Sequence, residues 1–435
     1  MAARRKTRQK RRARRTRFDP NEPRARPVPS RPSFDPTMHH AVPPTPPADL
    51  TGDLSPRMRG IGTSQIGLVA DRGRDDPEVV KLWIGEGDLP TPPFIVEAAH
   101  RAMQAGHTRY ATSLGLPRLR EALAAYHARH WGVDVPPDRF AVTAGGMNAI
   151  MQAAQALLEP GDEIIVPSPA WPNLAEAVRI AGGVPVTVPY RVLADGRFAL
   201  PLAAIEAALT PRTRVLVVNS PSNPTGWTMP LAEMKALRDL ARARGLWILS
   251  DEVYAHFTYG NAIAPSFLQI CTEDDRLIVT NTFSKNWAMT GWRAGWLVHP
   301  RGLGPTFAKL GQYNTTSIPT FIQHAAVAAL DEGDGFIRTM VNRCAESREI
   351  LVSGLSRLPG VTVAMPEGAF YLMAHVAGGE SSLDLAFRLL REAKVGVAPG
   401  TAFGPEGEGF IRLCFAISPG LAREAVSRLS ASLGR

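Results

Sequence analysis

Two apolar spacings alternate along the chain after Pro92–Pro93. Segments 94–105 and 117–131 repeat apolar residues three and four apart, the spacing of one helix face. Short apolar runs near 139–143, 163–167, 185–189, 213–219, 246–250 and 276–281 have the length and composition of buried strands. Helical patterns at 147–158, 172–181 and 230–243 fall between them. Strand alternating with helix predicts an α/β fold, with a mostly parallel sheet covered on both faces.

The pattern changes further on. Long helical stretches flank Pro319 and run to about 357, followed by strands near 361–364, 369–375 and 409–414 and a last helix from about 420. This predicts a small α+β domain completed by both chain ends. The expected division is a tail over 1–48, an N-terminal segment of the small domain over 49–88, a large domain over 89–330 and the rest of the small domain over 331–435. No internal repeat is visible.

The 435 residues are 45% hydrophobic and 20% charged, ample for a core and more than one lobe. No uninterrupted apolar run approaches bilayer-spanning length. The three cysteines, Cys271, Cys344 and Cys414, have neither metal nor CxxC spacing, which fits a reducing cytoplasm. The ten histidines give no ligand-like spacing beyond His39–His40, so no metal is expected.

The net charge of +9 is misleading, because ten Lys or Arg lie within the first 17 residues without an acid among them. Positions 18–435 carry 39 basic against 40 acidic residues, so the body gives no reason to expect nucleic-acid binding. The tail has no apolar face, and 20–47 is rich in proline; it is expected to be a solvated, disordered segment, with Met38 as an alternative start. An anionic contact or a targeting role is the competing reading of the tail, although it lacks the hydrophobic stretch of a secretory signal.

Four segments carry the chemistry. In Asn281 to Arg293, Lys285 follows a strand, with hydroxyls before it at Thr282 and Ser284 and a cation after it at Arg293. An amine beside hydroxyls and a cation suits covalent chemistry next to a phosphate. Alone, such a lysine is ordinarily a surface residue. Val217 to Gly226 is a strand ending in an Asn-Pro-Gly turn that carries Asn223. Leu246 to Tyr254 ends its apolar run on Asp251, which could cap a helix or meet a ligand at a strand's carboxyl end. Phe140 to Ala149 reads as strand, Gly145–Gly146 turn and helix, a place where free amides attract phosphate.

Together these segments resemble the class I/II aminotransferases of the aspartate-aminotransferase superfamily, fold type I, from Gly85 to Arg412. The resemblance implies a large domain with a seven-stranded-type, mostly parallel sheet binding pyridoxal 5'-phosphate. It implies that Lys285 forms the Schiff base and shuttles a proton, that Asp251 pairs with the pyridine nitrogen, and that Asn223 and Tyr254 bond the ring hydroxyl. Gly145, Gly146, Thr282, Ser284 and Arg293 would hold the phosphate, with Met147 beside them. Trp171 would stack on the ring, Gly85 would set a backbone amide near substrate, and Arg412 would grip the α-carboxylate through its planar fork.

Tyr110 would reach the phosphate of a neighbouring subunit, making a homodimer with shared sites. The chain departs from the family pattern at Gly87, where proline is common, and at Met147, where many relatives carry a polar side chain. The substrates implied are an L-amino acid and a 2-oxo acid, with side-chain contacts expected around Ile61–Ile66 and from the other subunit. A β-lyase acting on sulfur amino acids is the alternative on the same scaffold. A ligand-sensing regulator is the alternative from another class, disfavoured because the first 48 residues are too poor in apolar side chains to fold as a DNA-binding module.

Overall fold

A computed structural model describes residues 51–434, apart from 261–262. The tail over 1–48, Met38 and His39–His40 lie outside the described residues. From Asp53 onward the chain forms one compact unit.

Seven strands form the main sheet. Their order is Phe140–Thr143, Gly295–Val298, Leu277–Thr282, Trp247–Asp251, Thr213–Asn219, Glu163–Ser168 and Val184–Pro189. Every neighbouring pair is parallel except those made by Gly295–Val298, which runs antiparallel to both its partners. The sequence pattern places the other six strands within a residue or so and does not place this one. Four residues following a one-turn helix carry too little periodicity to register.

Alternation along the strands separates two cores. Val142, Leu216, Val218, Ile248 and Val279 pack on one face, and Ala141, Val215, Val217, Leu249 and Ile278 on the other. Helix ends follow local chemistry: Pro117–Trp131 starts on proline and stops at Gly132 (φ 67°), and Leu231–Arg244 stops at Gly245 (φ 65°).

A third core joins the early and late parts of the described residues. Val80–Lys81 pairs in parallel with Val395–Gly396, and Val69, Leu82 and Trp83 share an apolar cluster with Leu351, Leu389 and Leu413. Beside it lies an antiparallel sheet in the order Val361–Val363, Tyr371–Val376, Phe410–Cys414 and Ala398–Pro399. Among the described residues, no helix is long and apolar enough to cross a membrane.

Register gathers the site. Asn219 lies opposite Asp251, and Asp251 opposite Thr280, so these parallel strands end along one edge. The antiparallel strand begins at that edge, because Gly295 pairs with both Thr143 and Thr282. Arg293, two residues before it, is thereby delivered to the carboxyl ends of its neighbours, where open α/β sheets bind ligands.

Candidate active site

A cavity of about 510 Å³ opens at this edge. At one end, Gly145 (φ 88°) caps the helix Gly146–Leu157, whose first amides point outward. A Cβ on Gly145 would fall 2.4 Å from Arg293 Nη2, and one on Gly295 would fall 2.7 Å from the Gly145 carbonyl carbon. Only glycine lets turn, strand and guanidinium meet here. Arg293 itself has left-handed backbone (φ 54°), and its Nη1 donates to the Thr290 carbonyl at 2.6 Å. Thr282 caps the turn Phe283–Asn286, accepting from the Ser284 amide at 3.1 Å, and its hydroxyl lies 2.9 Å from that of Ser284. Amides, two hydroxyls and a cation thus converge as an anion-binding cradle.

The same turn presents Lys285, whose Nζ donates to the Gly85 carbonyl at 2.6 Å and lies 5.8 Å from the Tyr254 ring centroid. Enclosure by protein lowers its ammonium to about 8, leaving a usable fraction as free amine near neutrality. Asp251 is 2% exposed and lines the cavity; burial pushes its carboxyl up to about 7. Asn219 ties two strand ends together, accepting from the Asn223 amide at 2.8 Å and donating to the Asp251 carbonyl at 3.1 Å. The buried Asn223 Oδ1 is left without a partner. The hydroxyls of Tyr254 and Tyr371 share a hydrogen bond of 2.8 Å.

At the opposite end, Arg412 projects from Phe410–Cys414, 2% exposed. Its Nη2 donates to the Trp83 carbonyl, and its guanidinium lies 4.6 Å from the Tyr371 ring centroid and 5.1 Å from that of Phe403. Nε and Nη1 are buried without a hydrogen-bond partner. A buried cation with unused donors is costly unless an anion completes it. A carboxylate matches those planar donors.

The sequence pattern of the family described as "Aminotransferase class I and II" matches residues 77–429. The chain belongs to this family. It is 36% identical to the aspartate aminotransferase of Pyrococcus horikoshii over 383 residues, covering 87% of this chain and 97% of that one. It is equally identical to aromatic-amino-acid aminotransferase 2 of Thermococcus litoralis, over 86% of this chain and 97% of the relative. A solved structure of Thermus thermophilus aspartate aminotransferase with maleate superposes with a TM-score of 0.82 at 36% identity, over 87% of this chain and 99% of that one. The protein is an aminotransferase dependent on pyridoxal 5'-phosphate, and the α/β class and seven-stranded sheet implied by its sequence are borne out.

The cavity fits that cofactor: an amine for its aldehyde, a carboxyl that a ring cation would hold ionised, an unpaired amide oxygen and an anion cradle. Gly85, Gly146, Met147, Trp171, Asn223, Asp251, Tyr254, Thr282, Ser284, Lys285, Arg293 and Arg412 all line it. Gly145 stands behind Arg293. Gly85 turns its carbonyl to Lys285, a contact not foreseen from the sequence, where only its amide was assigned a role. Tyr110 is 88% exposed and is not among the lining residues of its own chain's cavity.

Sequence reasoning missed Tyr371 and Trp83. Tyr371 lies inside the strand predicted near 369–375 and carries no local signature, whereas Gly85 betrays it: a Cβ there would lie 1.9 Å from the Tyr371 hydroxyl. Asn219 sits within the Asn-Pro segment without a signature of its own, and Ile66 lines the cavity from the region expected to do so.

Proposed function

We propose that this aminotransferase works through the residues gathered at the sheet edge, with Lys285 as the catalytic amine and Arg412 as the substrate-carboxylate receptor. The observation that carries the reading is Arg412, a buried guanidinium with two unused donor atoms facing the same cavity as a lysine whose pKa is lowered to about 8. When bound, pyridoxal phosphate supplies an aldehyde that takes up the substrate nitrogen and a protonated ring that accepts electrons from the α-carbon.

The chain does the rest. Asp251 would hold the ring N–H, Asn223 and Tyr254 would bond the ring hydroxyl, and Trp171 would cover a ring face. The Gly145–Gly146 turn, Thr282, Ser284 and Arg293 hold the phosphate, with Met147 against it. Arg412 fixes the α-carboxylate and thereby the orientation of the α C–H bond. Lys285 Nζ, once freed, would be the base for the α-proton and hold it for return, an acid–base contribution of about 10²- to 10⁴-fold. An L-amino acid leaves as a 2-oxo acid, and a second 2-oxo acid is aminated by the reverse steps.

The working form is a cytoplasmic homodimer, in which the exposed Tyr110 serves the phosphate site of the partner subunit. Of the residues expected to form the small domain, 53–88 and 331–434 close on the large one over 89–330 and expel water. The test is absorption spectroscopy of the purified holoenzyme with single amino acids, followed by product analysis. Loss of the visible cofactor band with formation of a 2-oxo acid and transfer of the amino group is expected. Pyruvate with free ammonia from a sulfur amino acid would support the β-lyase reading instead, and no cofactor band after adding pyridoxal phosphate would remove Lys285 from its role.

A further inference from the structure

We infer that Tyr126 is a positioning residue for the catalytic turn: through Asn286 and His256, its hydroxyl fixes Lys285 relative to Tyr254. This rests on the reading of Lys285 given above.

Lys285 is presented by a single turn, Phe283–Asn286. One turn of helix does not hold its own shape in water, so its geometry is set by whatever braces it. Thr282 caps its start. At its other end, the buried Asn286 donates from Nδ2 to the Tyr126 hydroxyl oxygen at 3.3 Å, and its Oδ1 has no partner. Among the described residues, this is the one hydrogen bond of the Asn286 side chain.

The Tyr126 hydroxyl also bonds His256 Nε2. Burial lowers the His256 imidazolium to about 3 and raises the Tyr126 phenol above its ordinary value, so a neutral imidazole accepts from an intact O–H. His256 follows Tyr254 by two residues, in a turn closed by the Phe257 amide on the Tyr254 carbonyl at 2.8 Å. Tyr126 thus joins the segment that carries Asp251 and Tyr254 to the turn that carries Lys285.

Its ring packs behind the same turn. Trp287, next after Asn286, lies 5.7 Å from Tyr126 between ring centroids, and Phe283, which opens the turn, lies 5.2 Å from Trp287. A ring alone would fill this space; the hydroxyl adds two directed bonds, to residues 130 and 160 positions away. Tyr126, His256 and Asn286 are all buried within this chain, so the network is built without a second subunit. Proton transfer at Lys285 Nζ depends on such placement, because a shift of about 1 Å can cost about 10²-fold in rate.

The test is Tyr126→Phe, which keeps the ring and removes both bonds. Covalent capture of pyridoxal phosphate by the cofactor-free protein, followed by absorbance, should slow about 10-fold. In the holoenzyme kcat should fall about 10-fold, with the KM of the amino donor within about 2-fold of wild type, because Arg412 stands on a different strand. Asn286→Ala should slow capture as much, and the double variant no more than either alone. Slowing that multiplies to about 100-fold would mean that Tyr126 does not act through Asn286, and would overturn the inference. Wild-type capture and kcat in a folded Tyr126→Phe would leave Tyr126 a core aromatic alone, and would overturn it too. If Tyr126→Phe does not fold, His256→Gln against His256→Leu decides. Glutamine keeps an acceptor for the phenol and should hold capture near the wild-type rate, whereas leucine should slow it about 10-fold; equal rates would contradict the network. Capture by Lys285→Ala at the wild-type rate would instead remove the reading of Lys285 on which the inference stands.

Discussion

The two ends of the cavity are built differently. The cradle at the carboxyl edge of the large sheet is self-supporting: Thr282 bonds Ser284, Arg293 bonds Thr290, and Asn219 ties Asn223 to the backbone of Asp251. The end beside the small sheet holds a guanidinium whose Nε and Nη1 bond nothing. A cradle braced by its own hydrogen bonds, with the Asn223 Oδ1 left open, is preorganised for a resident group, whereas the unsatisfied donors of Arg412 mark the place where a transient ligand must supply the missing bonds. Cofactor affinity and substrate affinity should therefore be separable by mutation.

The largest effect is expected where the two ends meet. Lys285→Ala should lower turnover by about 10⁴-fold or more while cofactor binding stays detectable by absorbance. Near-normal rates would refute its role. At the cradle end, Arg293→Ala should raise the apparent Kd for pyridoxal phosphate about 10- to 100-fold, by loss of one charge-assisted contact. With saturating cofactor, its amino-acid KM should change little. A large change in KM at full occupancy would break the division between the ends.

Two smaller effects concern pH. Lys285 attacks the aldehyde as free amine, so capture of pyridoxal phosphate by the cofactor-free enzyme should speed up as pH rises and level off above about 8. A rate still rising in proportion to hydroxide from about pH 8 to about pH 10 would mean an ordinary lysine. Asp251 is shifted upward by burial, so the cofactor-free fold keeps its proton where the unfolded chain has lost it. Its favourable contribution is present at low pH and disappears as pH rises through about 7. Asp251→Asn should accordingly raise the Tm of the cofactor-free protein at pH 8 by about 1–3 °C and change it little at pH 4. The same substitution should weaken cofactor binding, which a titration followed by absorbance would measure.

The same division explains what was legible in the sequence. Lys285, Thr282, Ser284, Asp251 and the glycine pair sit at the ends of apolar runs, where a change of period marks the strand-to-turn boundary within a few residues. The strand Gly295–Val298 was not legible, although it delivers Arg293, because its placement depends on pairing with Thr143 and Thr282 rather than on its own pattern. Contacts at the substrate end join residues far apart in the chain: Arg412 bonds the carbonyl of Trp83 across 329 positions, and Lys285 that of Gly85 across 200. No local period encodes such pairs. Arg412 was reached through resemblance, and Tyr371 was not reached at all.

The most direct test of the carboxylate site compares the best amino-acid donor with the corresponding amine lacking the carboxylate, in the wild-type holoenzyme and in Arg412→Gln. Wild type should favour the amino acid by about 10³-fold in kcat/KM, and the variant should lose most of that preference while retaining its cofactor band. Discrimination that survives intact in Arg412→Gln would contradict the assignment of Arg412 as the receptor of the substrate carboxylate.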